Sequence, residues 1–86
     1  MNVTETKLKG CFVIEPRVFN DDRGYFFESY NKAAFDKAIG ANVAFVQDNE
    51  SFSTKGVLRG LHFQKDDYAQ AKLVRVTQGE VLDVVV

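Results

Sequence analysis

The sequence is poor in most of what stabilises a short chain. Its 86 residues include one cysteine, one histidine, one proline and no tryptophan. A lone cysteine closes no intramolecular disulfide, and one cysteine with one histidine are too few for a zinc site built on nitrogen and sulfur ligands. A chain of this length buries a smaller fraction of its surface than a domain of typical size. With disulfides and metal set aside, a partner chain is the remaining source of stability. Cys11 lies in the apolar run Cys11-Phe12-Val13-Ile14 and is expected as a buried core thiol without a chemical role.

Long hydrophobic runs are also missing. Residues 1–9 contain no apolar core of signal-peptide length, and no later run approaches a membrane span, so a cytoplasmic protein is expected. Charge of one sign is missing too: eleven basic residues face twelve acidic ones, for a net charge of −1. That balance lacks the basic excess on which nucleic-acid binding rests, and any anion the chain binds is expected to be small and held locally.

With one proline, no low-complexity tract, no repeat and no linker, residues 1–86 read as a single domain. Eight phenylalanines, and valines in short runs between glycine and Asx turns, make the class mainly β. Residues 10–14 are expected as a first strand, Asn20-Asp21-Asp22-Arg23-Gly24 as a turn and 25–30 as the second strand of a hairpin. Asn31 then reads as a helix cap, with Ala34, Phe35, Ala38 and Ile39 at helical spacing and Gly40 as the stop.

Beyond the helix, residues 43–52 alternate, with Val43, Phe45, Gln47, Asn49 and Ser51 on one face. A turn at Thr54-Lys55-Gly56 leads to a strand over 57–64; after a polar loop, 72–77 pairs with 80–86 through Gln78-Gly79. Such strands make a sandwich or barrel. Residues 82–86 form a strand without a turn or polar tail, a bare edge that invites pairing, so the domain is expected to continue past Val86. The alternative is a true terminus tucked into a sheet or dimer interface.

Several polar side chains stand where they could carry chemistry. The amides of Gln47 and Asn49 offer donors and acceptors suited to a base edge, a sugar hydroxyl or a phosphate oxygen; a solvated strand face looks the same. Arg23 lies in a turn. Arg59 interrupts the apolar Val57-Leu58-Arg59-Gly60-Leu61, where an unpaired charge is expensive to bury; it binds an anion through its planar fork or makes a structural ion pair. His62, between Leu61 and Phe63, is either a satisfied core histidine or a general base, since imidazole titrates at about 6.5. Lys72 points into water or stabilises an oxyanion that forms in a transition state.

Four segments carry a resemblance: RGYFFESYN at 23–31, FVQDNESFS at 45–53, GVLRGLHFQ at 56–64 and QAKLVRVTQGEVLDVVV at 70–86. In order, spacing and wording they resemble the dTDP-4-dehydrorhamnose 3,5-epimerase family, over nearly all of this chain and the first half of such an enzyme. The resemblance implies a cupin-like double-stranded β-helix, or jelly roll, here partial and with one short helix, and a homodimer with exchanged amino-terminal strands. It implies that His62 removes the protons at C3 and C5 of a dTDP-sugar substrate and that Lys72 stabilises the enolate. Arg59 and Arg23 would hold the diphosphate, Gln47 and Asn49 the nucleotide and its phosphates, and Phe26 and Glu28 the thymine end, often from the partner subunit.

Arg59 and His62, three apart, would face opposite sides of a regular strand, so Gly60 is expected at a β-bulge or bend. No metal and no cofactor are expected. The family's acid, a tyrosine, and the aspartate that orients the histidine would lie beyond Val86, so the 86-residue chain is expected to lack half of the proton-transfer apparatus. Competing readings are a ketoisomerase acting on a related dTDP-4-keto sugar, a non-catalytic nucleotide-sugar binder, and a folding fragment that dimerises through exposed strands.

Overall fold

The computed structural model describes residues 1–63 and 71–86. They fall into two units, Met1–Val43 with Asp83–Val86, and Ala44–Leu82. Among the described residues, all regular secondary structure lies in the first unit: two small antiparallel sheets and one short helix.

The first hairpin joins β1 (Asn2–Glu5) to β2 (Phe12–Glu15), with Val3 opposite Ile14 and Glu5 opposite Phe12. Phe12 and Ile14 take the half-buried face of β2 while Val13 and Glu15 point outward, the two-residue alternation of a strand with one covered side. The connection closes on itself: the Thr6 N–H donates to the Cys11 carbonyl at 2.8 Å and the Cys11 N–H to the Leu8 carbonyl at 3.0 Å. The Glu5 carboxylate accepts from the Gly10 N–H at 3.1 Å. The strand expected over 10–14 therefore starts two residues late, because Gly10 and Cys11 are used by the turn. That placement leaves Cys11 a free, half-buried thiol rather than a core one.

The second hairpin pairs β3 (Val18–Asp21) with β4 (Gly24–Phe27), from Val18 opposite Phe27 to Asp21 opposite Gly24. Only Asp22 and Arg23 bridge the strands. The five-residue turn expected over 20–24 contracts, since Asn20 and Asp21 are spent on the ladder, and the partner of β4 is its immediate neighbour in sequence rather than 10–14. Tyr25 and Phe27 share a face and stack with centroids 6.0 Å apart. The Arg17 guanidinium sits 4.8 Å from the centroid of the Phe19 ring, a cation–π contact on the same hairpin.

Helix α1 (Lys32–Ile39) begins and ends where the cap residues expected of the sequence stand. Asn31 is extended and its side chain accepts from the Ala34 N–H at 3.1 Å, satisfying one of the donors a helix start leaves open. Gly40 closes the helix at φ 72°, a left-handed position that costs a side-chain-bearing residue energy, and its N–H donates to the Asp36 carbonyl at 2.9 Å. Tyr30, just before the cap, meets Phe35 with ring centroids 5.6 Å apart, a staple that fixes the chain's entry into the helix. Phe35 is the one buried hydrophobic residue among those described, at 9% exposure.

The second unit differs from expectation. Residues 44–63 and 71–82 form no strand, and no ladder joins the segments expected over 43–52, 57–63, 72–77 and 80–86; Gln64 lies outside the described residues. The turns survive without the strands. The Val57 N–H donates to the Thr54 carbonyl at 3.3 Å, closing the turn at Thr54-Lys55-Gly56, and the chain bends at 77–79. A turn closes with its own atoms, whereas a strand needs a second backbone for its hydrogen bonds and a cover for its apolar face. Here Val46, Leu58 and Leu82 are 88%, 94% and 91% exposed. The irregularity expected at Gly60 takes the form of a φ of 136°, with a cis Gly60–Leu61 peptide, and not of a bulge in a ladder.

Candidate functional site

The residues singled out in the sequence fall into two sets, one in each unit. Arg23, Phe26 and Glu28 belong to the first, with Arg23 in the β3–β4 connection, Phe26 on β4 opposite Phe19, and Glu28 one residue past the strand end. All three are exposed.

Arg23 is held by its own turn. Asp21 Oδ1 accepts the Arg23 N–H at 2.8 Å and Asp21 Oδ2 accepts from the Arg23 guanidinium at 2.7 Å. The first bond is an Asx turn; the second is an ion pair whose guanidinium is 90% exposed. The guanidinium bond, with the backbone N–H behind it, holds the Asp21 carboxyl below the usual carboxylate range. Two residues after β3 ends, a cation therefore stands in water with a fixed root and unused donors for an anion.

In the second unit Gln47, Asn49, Arg59, His62 and Lys72 are all exposed. Arg59 donates through Nη2 to the Phe52 carbonyl at 3.3 Å, tying the 56–63 segment to the end of the 45–53 segment across the turn between them. Among the described residues this bond to a backbone carbonyl, and no carboxylate, is what Arg59 engages. His62 is exposed together with Leu61 and Phe63, so it is not a core histidine in this fold. Lys72 follows the residues 64–70, which lie outside those described. Among the described residues no three His, Cys, Asp or Glu side chains gather to hold a metal, and no helix is long and apolar enough to cross a membrane.

Two features went unread in the sequence. One is the Asp21–Arg23 pair, for which the Asp-x-Arg spacing in a turn was an available signal. The other is a cluster at the end of α1, where Lys32 Nζ donates to Asp36 Oδ2 at 2.6 Å, to Asn42 Oδ1 at 2.7 Å and to the Val43 carbonyl at 2.9 Å. Asp36 Oδ1 accepts the Val43 N–H at 3.1 Å. The i, i+4 spacing of Lys32 and Asp36 hinted at their pairing; nothing local in sequence marked Asn42 and Val43 as its other partners.

Comparison with known proteins gives one consistent result. A family model described as dTDP-4-dehydrorhamnose 3,5-epimerase matches residues 5–86. The protein of that name from Escherichia coli (strain K12) is 58% identical over 86 residues, all of this chain and 46% of the relative. Its namesake from Methanothermobacter thermautotrophicus is 56% identical over 82 residues, covering 95% of this chain and 43% of the relative. A crystal structure of dTDP-4-dehydrorhamnose 3,5-epimerase from Elizabethkingia anophelis matches with a TM-score of 0.73 and 55% identity, over 80% of this chain and 38% of that one. The chain spans about half the length of the curated relatives it matches.

Proposed function

Because the chain belongs to the dTDP-4-dehydrorhamnose 3,5-epimerase family, we propose that residues 1–86 are the amino-terminal part of a cupin-type domain that epimerises a dTDP-4-keto-6-deoxy sugar at C3 and C5, in dTDP-rhamnose biosynthesis. The observation that carries this reading is the match along residues 5–86, which takes in the segments holding His62 and Lys72.

Both reacting carbons are α to the C4 ketone, so removing either proton gives an enolate whose charge rests on the C4 oxygen. His62 is the base, exposed enough to meet a substrate. Lys72 is the cation that stabilises the enolate oxygen, an interaction stronger in the transition state than in the ground state. Return of a proton on the opposite face inverts the centre. Protons leave and return with no net change of oxidation state, so the reaction calls for no redox cofactor.

Arg23 and Arg59 hold the diphosphate, Gln47 and Asn49 contact the nucleotide and its phosphates, and Phe26 and Glu28 meet the thymine end. The held root of Arg23 and the tether of Arg59 to the Phe52 carbonyl support these roles, since a cation with spare donors on a fixed base suits a diphosphate. The exposed apolar side chains at Val46, Phe52, Leu58 and Leu82 support a fold in which these segments become strands of a jelly roll within a cytoplasmic homodimer that exchanges amino-terminal strands.

The test is solvent deuterium incorporation into dTDP-4-keto-6-deoxyglucose by three proteins: this chain, its His62→Ala variant, and the chain joined to the remaining half of the Escherichia coli relative. Exchange that disappears with His62→Ala is the expected result, in the joined protein at least. Exchange that persists without His62, or is absent from the joined protein, overturns the reading. A second reading is a nucleotide-sugar-binding chain without catalysis; dTDP binding without exchange by the joined protein supports it.

A further inference from the structure

We propose that Gly56 is a positioning residue for the diphosphate contact of Arg59, through a turn built on its positive φ. The inference rests on the nucleotide site proposed above and stays within one unit, Ala44–Leu82. The Val57 N–H donates to the Thr54 carbonyl at 3.3 Å, which makes Gly56 the third residue of the turn, and its φ is 90°. A turn with positive φ at that position takes glycine or asparagine, because most side chains there crowd their own backbone. Among the described residues, a Cβ added at Gly56 meets nothing beyond its chain neighbours within 4 Å. The glycine therefore answers to the backbone angle and not to space.

Arg59 depends on that turn. Its Nη2 donates to the Phe52 carbonyl at 3.3 Å, and the two residues are seven apart in sequence. Phe52 stands two positions before Thr54 and Arg59 two positions after Val57, so the bond spans the two arms that the turn brings together. Extended, seven residues cover about 23–25 Å, far beyond the reach of an arginine side chain. The bond uses one nitrogen of the fork, and the residue is otherwise exposed. A guanidinium already held at one nitrogen has less freedom to lose when its remaining donors meet phosphate oxygens, which is how preorganisation raises affinity. Relaxing φ at Gly56 opens the turn, releases the bond and leaves Arg59 to be ordered by the ligand.

The experiment titrates the 86-residue chain with dTDP and with thymidine, which has no phosphate for Arg59 to hold. The variants are Gly56→Ala, Gly56→Asn, Arg59→Ala and the double variant Gly56→Ala with Arg59→Ala. Gly56→Ala is expected to weaken dTDP binding about tenfold, the order of one lost charge-assisted bond, and to leave thymidine binding unchanged. Gly56→Asn tolerates positive φ and is expected to keep most of the dTDP affinity. The double variant is expected to bind dTDP no more weakly than Arg59→Ala, because Gly56 acts through that side chain. Equal losses for both ligands, or a double variant weakened by the sum of the single losses, overturn the positioning role. If Gly56→Ala fails to fold, Lys55→Pro decides. Proline fixes the φ that the second residue of such a turn takes, so dTDP binding is expected to tighten, and unchanged or weaker binding overturns the role. A parent that binds no dTDP overturns the nucleotide site and this role with it; a parent that binds dTDP as Gly56→Ala does overturns this role alone.

Discussion

Arg23 illustrates how a single charged residue is both prepared and restrained. The Asp21 carboxylate uses one oxygen on the Arg23 N–H, which shapes the turn, and the other on the guanidinium, where a diphosphate would bind. The two bonds are separable. Asp21→Asn keeps an oxygen for the N–H and removes the charge that competes for the guanidinium, so it is expected to tighten dTDP binding a few-fold. Arg23→Ala is expected to weaken it. Both partners stand in water, where ion pairs contribute little, so neither change is expected to move the thermal midpoint appreciably. Isothermal titration and thermal melts on the two variants check the opposite signs; weaker binding in Asp21→Asn would show that the pair orients Arg23 more than it occupies it. At this scale the sequence named the cation but not its partner. His62 stood there with two readings, of which exposure removes the core one.

Among the elements, those that close on nearby atoms were legible. Asn31, Gly40 and the spacing between them marked α1 at both ends, because each cap uses backbone groups three or four residues away. The turn at Thr54-Lys55-Gly56 was legible for the same reason. The strands expected over 43–52, 57–64, 72–77 and 80–86 were not, as far as the described residues reach, since alternation identifies a segment fit for pairing but not the backbone it pairs with. β1 was missed because Asn2, Thr4 and Glu5 leave it a single apolar residue, Val3. The helix yields a direct prediction: Asn31→Ala removes the acceptor of the Ala34 N–H and is expected to cost about 1 kcal/mol, read by urea denaturation followed through the helical circular dichroism.

The end of the same helix yields a pH dependence. The folded state depresses the Asp36 carboxyl, so its contribution is present above the unfolded carboxylate range near 3.9 and is lost as pH falls through the lower, folded value. Amide exchange at Val43 is therefore expected to stay slow from neutral pH down to about 4 once the intrinsic pH dependence is divided out, and to quicken below it. Asp36→Asn is expected to flatten that profile. A midpoint well above the carboxylate range would assign the change to a group other than Asp36.

For the whole molecule, the decisive quantity is apolar surface left in water. Val46, Phe52, Leu58, Leu61, Phe63 and Leu82, all in the second unit, are each at least three-quarters exposed. Covering a side chain of this kind is worth about 1.5–3 kcal/mol, so six of them offer about 9–18 kcal/mol. Bringing two chains together costs about 4–15 kcal/mol before any contact is counted. The two ranges overlap, with the gain the larger at both ends, so the 86-residue chain is expected to associate with itself, its sedimentation coefficient rising with concentration at neutral pH. Replacing Leu58 and Phe63 with lysine adds charge where cover is sought and is expected to shift the distribution toward monomer. Joining the chain to the remaining half of a relative is expected to do the same by supplying the missing ladders, and to lower binding of an apolar dye in parallel. A concentration-independent monomer that binds no dye would mean that the segments 44–63 and 71–82 find their cover within the chain, and that sheet formation in this family does not wait for the second half.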